Sequence, residues 1–132
     1  MRIVAEIKPV PLQRNQHKDG FAKPYLPERS RSYRQNLQWI LRAAMKGKAL
    51  YQGALTITIN LYKNVIPTAK RYGDADNHAK AVLDAANGIL FTDDAQIVNL
   101  QVIKHKSKIE GLTIDIECAQ SEGIIGDWRV AA

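Results

Sequence analysis

Apolar side chains fall on every second residue from Ala54 to Leu61, where Leu55, Ile57, Ile59 and Leu61 alternate with Thr56, Thr58 and Asn60. Period-two alternation buries one face of a strand and leaves the other polar, so this segment predicts a half-buried strand. Residues 2–7 repeat the pattern briefly, with Ile3, Ala5 and Ile7 on one side. Pro9 and Pro11 then remove N–H groups that a sheet ladder needs. Residues 96–105 and 111–118 alternate as well, and the Lys-rich polar stretch ending at Gly111 predicts that they form a hairpin.

Two segments follow the 3.6-residue period instead. One starts at Ser30 or Ser32, either of which suits an N-cap, and carries Tyr33, Leu37, Ile40, Leu41 and Ala44 in one stripe, with Gly47 as its stop. Trp39 is assigned to packing on this helix. The second runs from about Asp76 to Asn87, with Ala79, Val82, Leu83, Ala86 and Leu90 as its apolar stripe and Gly88 closing it. Residues 8–29, with four prolines and Gly20, form a long connection without period, and Lys63 to Gly73 form a shorter one. The order strand, loop, helix, strand, loop, helix, strand, strand predicts a small α/β (α+β) fold, a mixed sheet covered by two helices. At 132 residues the chain reads as one domain over 1–118, with 119–132 as a tail that is either a docking arm or disordered.

Composition excludes several classes. The chain is 45% hydrophobic and 24% charged, as expected of an ordinary globular domain. No apolar run approaches the roughly 20 residues that span a bilayer, and Arg2 and Glu6 break any signal-peptide pattern. The single Cys118 excludes an intramolecular disulfide and fits a reducing compartment. A cytoplasmic protein without a membrane partner is expected.

Charge changes the picture more. The net charge is +6, and residues 1–50 hold 11 Lys or Arg against 3 acids while the rest hold 8 against 10. Such asymmetry is the footprint of a nucleic-acid binder. The acids gather instead at Asp74, Asp76, Asp84, Asp93 and Asp94. Crowded carboxylates repel, and a hard divalent cation such as Mg²⁺ reverses that cost. Asp74 and Asp76 share a side in extended backbone, and Asp76, Lys80 and Asp84 share a helix face at i, i+4 and i+8. Asp93 and Asp94 meet the first pair if the strand near Ile97 pairs close to the loop carrying Asp74. Each element also has a plain structural use: a cap, an exposed charge ladder, a turn.

Together they resemble a known signature. The run Asp74-Ala75-Asp76-Asn77-His78-Ala79-Lys80, the step Leu83-Asp84-Ala85 and the run Asp93-Asp94-Ala95-Gln96-Ile97 are similar to those of RusA-type Holliday-junction endonucleases. That pattern reads D-x-D-N-x-x-K, then Leu- or Phe-Asp-Ala, then D-D-x-Q-V or a close variant. Lys104 also falls where the family often has a lysine, and the Pro9, Pro11 and Arg14 segment is a looser match. The resemblance implies a homodimeric, Mg²⁺-dependent endodeoxyribonuclease, with Mn²⁺ as a substitute ion, that resolves four-way DNA junctions by paired symmetric nicks in recombination and repair. It implies Asp74, Asp76 and Asp94 as metal-binding catalytic carboxylates and Lys80 as the catalytic lysine. Asn77 becomes a DNA-proximal residue, and Asp84 and Asp93 are candidates for supporting the ligands.

Arg14, His17, Lys18, Lys23, Lys70 and Arg71 are the candidates for phosphate contacts, and Phe21 and Tyr25 for stacking at the junction centre. Two competing readings share these residues: a non-catalytic junction or duplex binder, and a related nuclease acting on flaps or forks. His17, His78 and His105 show no zinc-type spacing with Cys118.

Overall fold

The computed structural model describes residues 1–13, 27–119 and 125–130. Four strands, β1 (Arg2–Ala5), β2 (Leu55–Lys63), β3 (Ile97–Lys106) and β4 (Gly111–Cys118), and two helices, α1 (Glu28–Ala44) and α2 (Ala75–Ala86), make an α+β fold. The sheet is mixed, in the order β1-β4-β2-β3. β4 runs antiparallel to both β1 and β2, whereas β3 runs parallel to β2.

The alternation of β2 has the predicted consequence. Leu55, Ile57, Ile59 and Leu61 are buried and meet Leu112, Ile114 and Ile116 of β4 on the same face. Leu37 and Leu41 of α1 and Val82 and Ala85 of α2 complete one continuous core with them. Trp39 is 73% exposed, contrary to the packing role assigned to it. It lies two positions from Leu37, which turns it to the opposite side of the helix. Neither serine starts α1. Pro27 occupies the position before the first turn with φ −54°, and Ser30 is buried within the helix.

The predicted hairpin does not form. β3 and β4 lie on opposite sides of β2, and the chain crosses the end of β2 between them, where the Ser107 N–H donates to the Lys63 carbonyl at 2.9 Å. Burial separates the two strands: β4 is central, with three fully covered aliphatics, whereas β3 is an edge whose Val98, Leu100 and Ile103 stay exposed. Parallel strands need a crossover, and α2 supplies it between β2 and β3. The carboxyl ends of β2 and β3 therefore point toward the start of α2. No helix among the described residues is long and apolar enough to cross a membrane.

Candidate active site

The start of α2 is held by a buried polar knot. Tyr72 ends a single 3₁₀ turn (Lys70–Tyr72) and is wholly buried. Its hydroxyl lies 3.0 Å from the Leu61 carbonyl on β2 and 2.8 Å from the His105 carbonyl on β3, and accepts the His105 N–H at 3.2 Å. Its own carbonyl accepts from Lys63 Nζ at 2.9 Å and from His78 Nε2 at 2.7 Å. Because a carbonyl only accepts, the His78 proton sits on Nε2. The next carbonyl, of Gly73, accepts from Lys104 Nζ at 3.2 Å. Both ammonium groups also stand over the Tyr72 ring, 5.2 and 5.1 Å from its centroid.

Lys63 and Lys104 thus grip the two peptide units that immediately precede Asp74. Lys63 is 2% exposed and forms no ion pair among the described residues. Burial pulls its ammonium below the ordinary lysine range, with Lys8, Arg29 and Lys104 adding repulsion and Glu110 opposing. His78, fully buried in the same knot, is pushed down to about 4, first by burial.

Asp74 occupies the N-cap position of α2 but makes no side-chain cap, and Asp76 follows in the first turn. Both are exposed, and neither forms an ion pair among the described residues. The helix dipole favours negative charge there. Lys80 lies one turn further along, also exposed. Lys70 and Arg71 are exposed on the 3₁₀ turn just before the carboxylates. Asn77 is half-buried, and its carbonyl receives the Leu12 N–H at 2.9 Å, which ties the first connection to α2. Arg14, His17, Lys18, Phe21, Lys23 and Tyr25 lie outside the described residues.

Asp94 is elsewhere. It sits past the far end of α2, where Asp93, hydrogen-bonded to it and of like charge, raises its carboxyl, with burial and Asp84 adding and Asn87 opposing. The twelve residues of α2 span about 18 Å. One chain therefore brings Asp74, Asp76 and Lys80 together but leaves Asp94 at the opposite end of the crossover. Among the described residues, no three His, Cys, Asp or Glu side chains converge on a metal position. The expected meeting of the two acidic pairs fails within one chain because β3 begins, rather than ends, beside Asp93 and Asp94.

Asp93 and Asp84 have structural partners. Asp93 Oδ1 accepts the Ala95 N–H at 3.2 Å, starting the turn Asp94–Gln96. Gln96 Oε1 accepts the N–H groups of Thr92 and Asp93, and its Nε2 donates to the carbonyls of Tyr51 and Gly53 at 3.0 Å each. The Gln of the D-D-x-Q run is thus the peg that fixes the Asp94 loop. Asp84 meets Arg34 of α1 at 3.4 Å.

The match of a family model settles which chemistry this geometry serves. The model for endodeoxyribonuclease RusA matches residues 6–117 of the chain. The chain belongs to the RusA family. No curated protein matches it. RusA-family proteins are endonucleases that resolve Holliday junctions, and the RusA signature here falls on the start of α2 and on the Asp94 loop. Lys63 was not singled out from the sequence, although it continues the alternation of Leu55, Ile57, Ile59 and Leu61 onto the buried face. A lysine in that register was the legible signal.

Proposed function

We propose that this RusA-family protein is a Mg²⁺-dependent endonuclease that resolves four-way DNA junctions by paired symmetric nicks, serving recombination and repair as a homodimer. The observation that supports this most is the setting of Asp74 and Asp76. They are two exposed carboxylates at the positive end of α2, beside Lys63, Lys70, Arg71, Lys80 and Lys104. A site that mixes clustered carboxylates with surplus cations suits a phosphate and a hard metal ion together.

Asp74 and Asp76 fit Mg²⁺, or Mn²⁺ in its place, as oxygen donors. Asp94 of the same chain does not reach them, so the third carboxylate is assigned to the partner subunit. When bound, the ion would polarise a phosphate oxygen and favour hydroxide over water. Lys80 offers positive charge to the phosphate as it gains a fifth oxygen. Lys70, Arg71 and Asn77 flank that position and hold adjacent phosphates, which orient the strand without reading its sequence. Arg14, His17, Lys18 and Lys23 extend the contact along a junction arm. A two-fold assembly gives two equivalent sites for two equivalent strands.

The test is a synthetic four-way junction and a matched linear duplex, each with and without Mg²⁺. The wild type nicks the junction at symmetry-related positions and spares the duplex. Asp76→Asn and Lys80→Met bind the junction and leave it uncut. Wild-type cleavage by Asp76→Asn contradicts the carboxylate assignment, and equal cleavage of the duplex contradicts the substrate.

A further inference from the structure

β3 is an edge strand of ten residues, and among the described residues no strand pairs with its outer side. Long edges are normally blunted by charge, proline or brevity. The opposite edge, β1, is only four residues long and carries Arg2. From Ile97 to Ile103, by contrast, β3 has no charged residue, and Val98, Leu100 and Ile103 are 59%, 40% and 41% exposed. The register with β2 places Leu100 and Val102 beside Ile57 and Ile59, on the helix-bearing face.

Charge along this edge is polarised. Asp93 and Asp94 precede the amino end, and Lys104 and Lys106 occupy the carboxyl end. A strand so charged is complementary to a second copy of itself only when the two run antiparallel. The site is polarised the same way, with Asp74 and Asp76 at the carboxyl end of β3 and Asp94 at its start.

We propose that β3 pairs antiparallel with β3 of a second copy of this chain, about a two-fold axis through Leu100, joining the two sheets into one. This rests on the nuclease reading only for its consequence at the active site. Leu100 then faces its own counterpart, and Val98 faces Val102 of the partner subunit, so the exposed aliphatics cover one another. Lys104 and Lys106 come to the acidic turn at the partner's amino end. The α2 helices of the two copies lie antiparallel, side by side, and Asp94 of the partner subunit moves from the wrong end of α2 to the end that carries Asp74 and Asp76. The same rotation that buries the edge completes the carboxylate set twice.

The experiment reads the interface without DNA or metal. Sedimentation should give a dimer for the wild type and a monomer for Leu100→Lys, which sets two like charges face to face. In a Cys118→Ser background, Leu100→Cys should form a covalent dimer under mild oxidation, since facing residues of antiparallel strands lie about 4.5–5.5 Å apart at Cα, within disulfide range. Val4→Cys, on the opposite edge, should not. The cysteine variant keeps the test sound if Leu100→Lys fails to fold. A monomeric wild type, or a dimer that neither variant affects, overturns the pairing. A monomer that still nicks junctions overturns this interface and leaves the nuclease reading standing; a β3-paired dimer that cuts no junction does the reverse.

Discussion

Lys63 donates to the carbonyl oxygen of Tyr72 at 2.9 Å from a position that solvent scarcely reaches. A buried ammonium without a carboxylate is costly, so its retention needs a return elsewhere. Two residues further along the chain stands Asp74, which the Lys63 and Lys104 bonds hold in place. Lys63→Met removes the cost of burying a charge together with one grip on the 3₁₀ turn. Its stability should change by no more than about 1 kcal/mol, while junction cleavage falls at least tenfold with binding largely kept. Urea unfolding and single-turnover cleavage check this, and Lys63→Arg should recover part of the loss. Unchanged cleavage in Lys63→Met would remove Lys63 from the positioning of the site.

Gly73 connects that grip to the carboxylates. Its φ is +95°, and a Cβ there would lie 2.7 Å from Pro11 Cγ and 2.9 Å from His78 Nε2. Gly73→Ala therefore combines a disfavoured backbone with a collision, at a cost of about 2–3 kcal/mol. Cleavage should be lost even at temperatures where the variant is folded, because Asp74 is the next residue. Gly47, with φ +75° and open space around it, is the matched control. Gly47→Ala should cost about 1 kcal/mol and cut as well as wild type. Equal effects of the two substitutions on cleavage would contradict the positional role of Gly73.

His78 makes stability depend on pH. Its folded value of about 4 lies below the ordinary 6.5, so between these limits the unfolded chain takes up a proton that the folded chain refuses. Stability is fully present above about pH 6.5 and falls as pH drops toward 4, by up to about 3 kcal/mol from this group. His78→Gln, which keeps a donor for the Tyr72 carbonyl, should flatten the profile in that window. Urea midpoints from pH 4 to 7 for both proteins measure the difference, and parallel profiles would exclude His78 as the cause.

Much of the fold was legible from period alone. The alternation of β2 and the stripes of α1 and α2 correspond to the observed core. Strand pairing was not, because alternation says which face is buried and nothing about the neighbour. β3 and β4 are adjacent in sequence yet separated by β2. The candidate residues were legible as a motif, and Asp74, Asp76 and Lys80 do gather at one helix end. The distance to Asp94 was implicit in the same reading, since a helix of that length between two acidic pairs holds them apart. Lys63 was hidden by its own chemistry: a lysine closing a run of buried aliphatics looks like the end of a strand rather than part of a site.

The central claim is that each active site draws Asp74 and Asp76 from one chain and Asp94 from the other. Co-expressing Asp74→Asn with Asp94→Asn tests it directly. Each variant alone should bind a four-way junction and leave it intact. In a mixed dimer one site carries both substitutions and the other carries neither, so about a quarter of all sites are whole in a random mixture. Mg²⁺-dependent nicking should return on one strand per mixed dimer. A mixture as inactive as its parents, with mixed dimers demonstrably present, would place all three carboxylates in one chain and contradict the account.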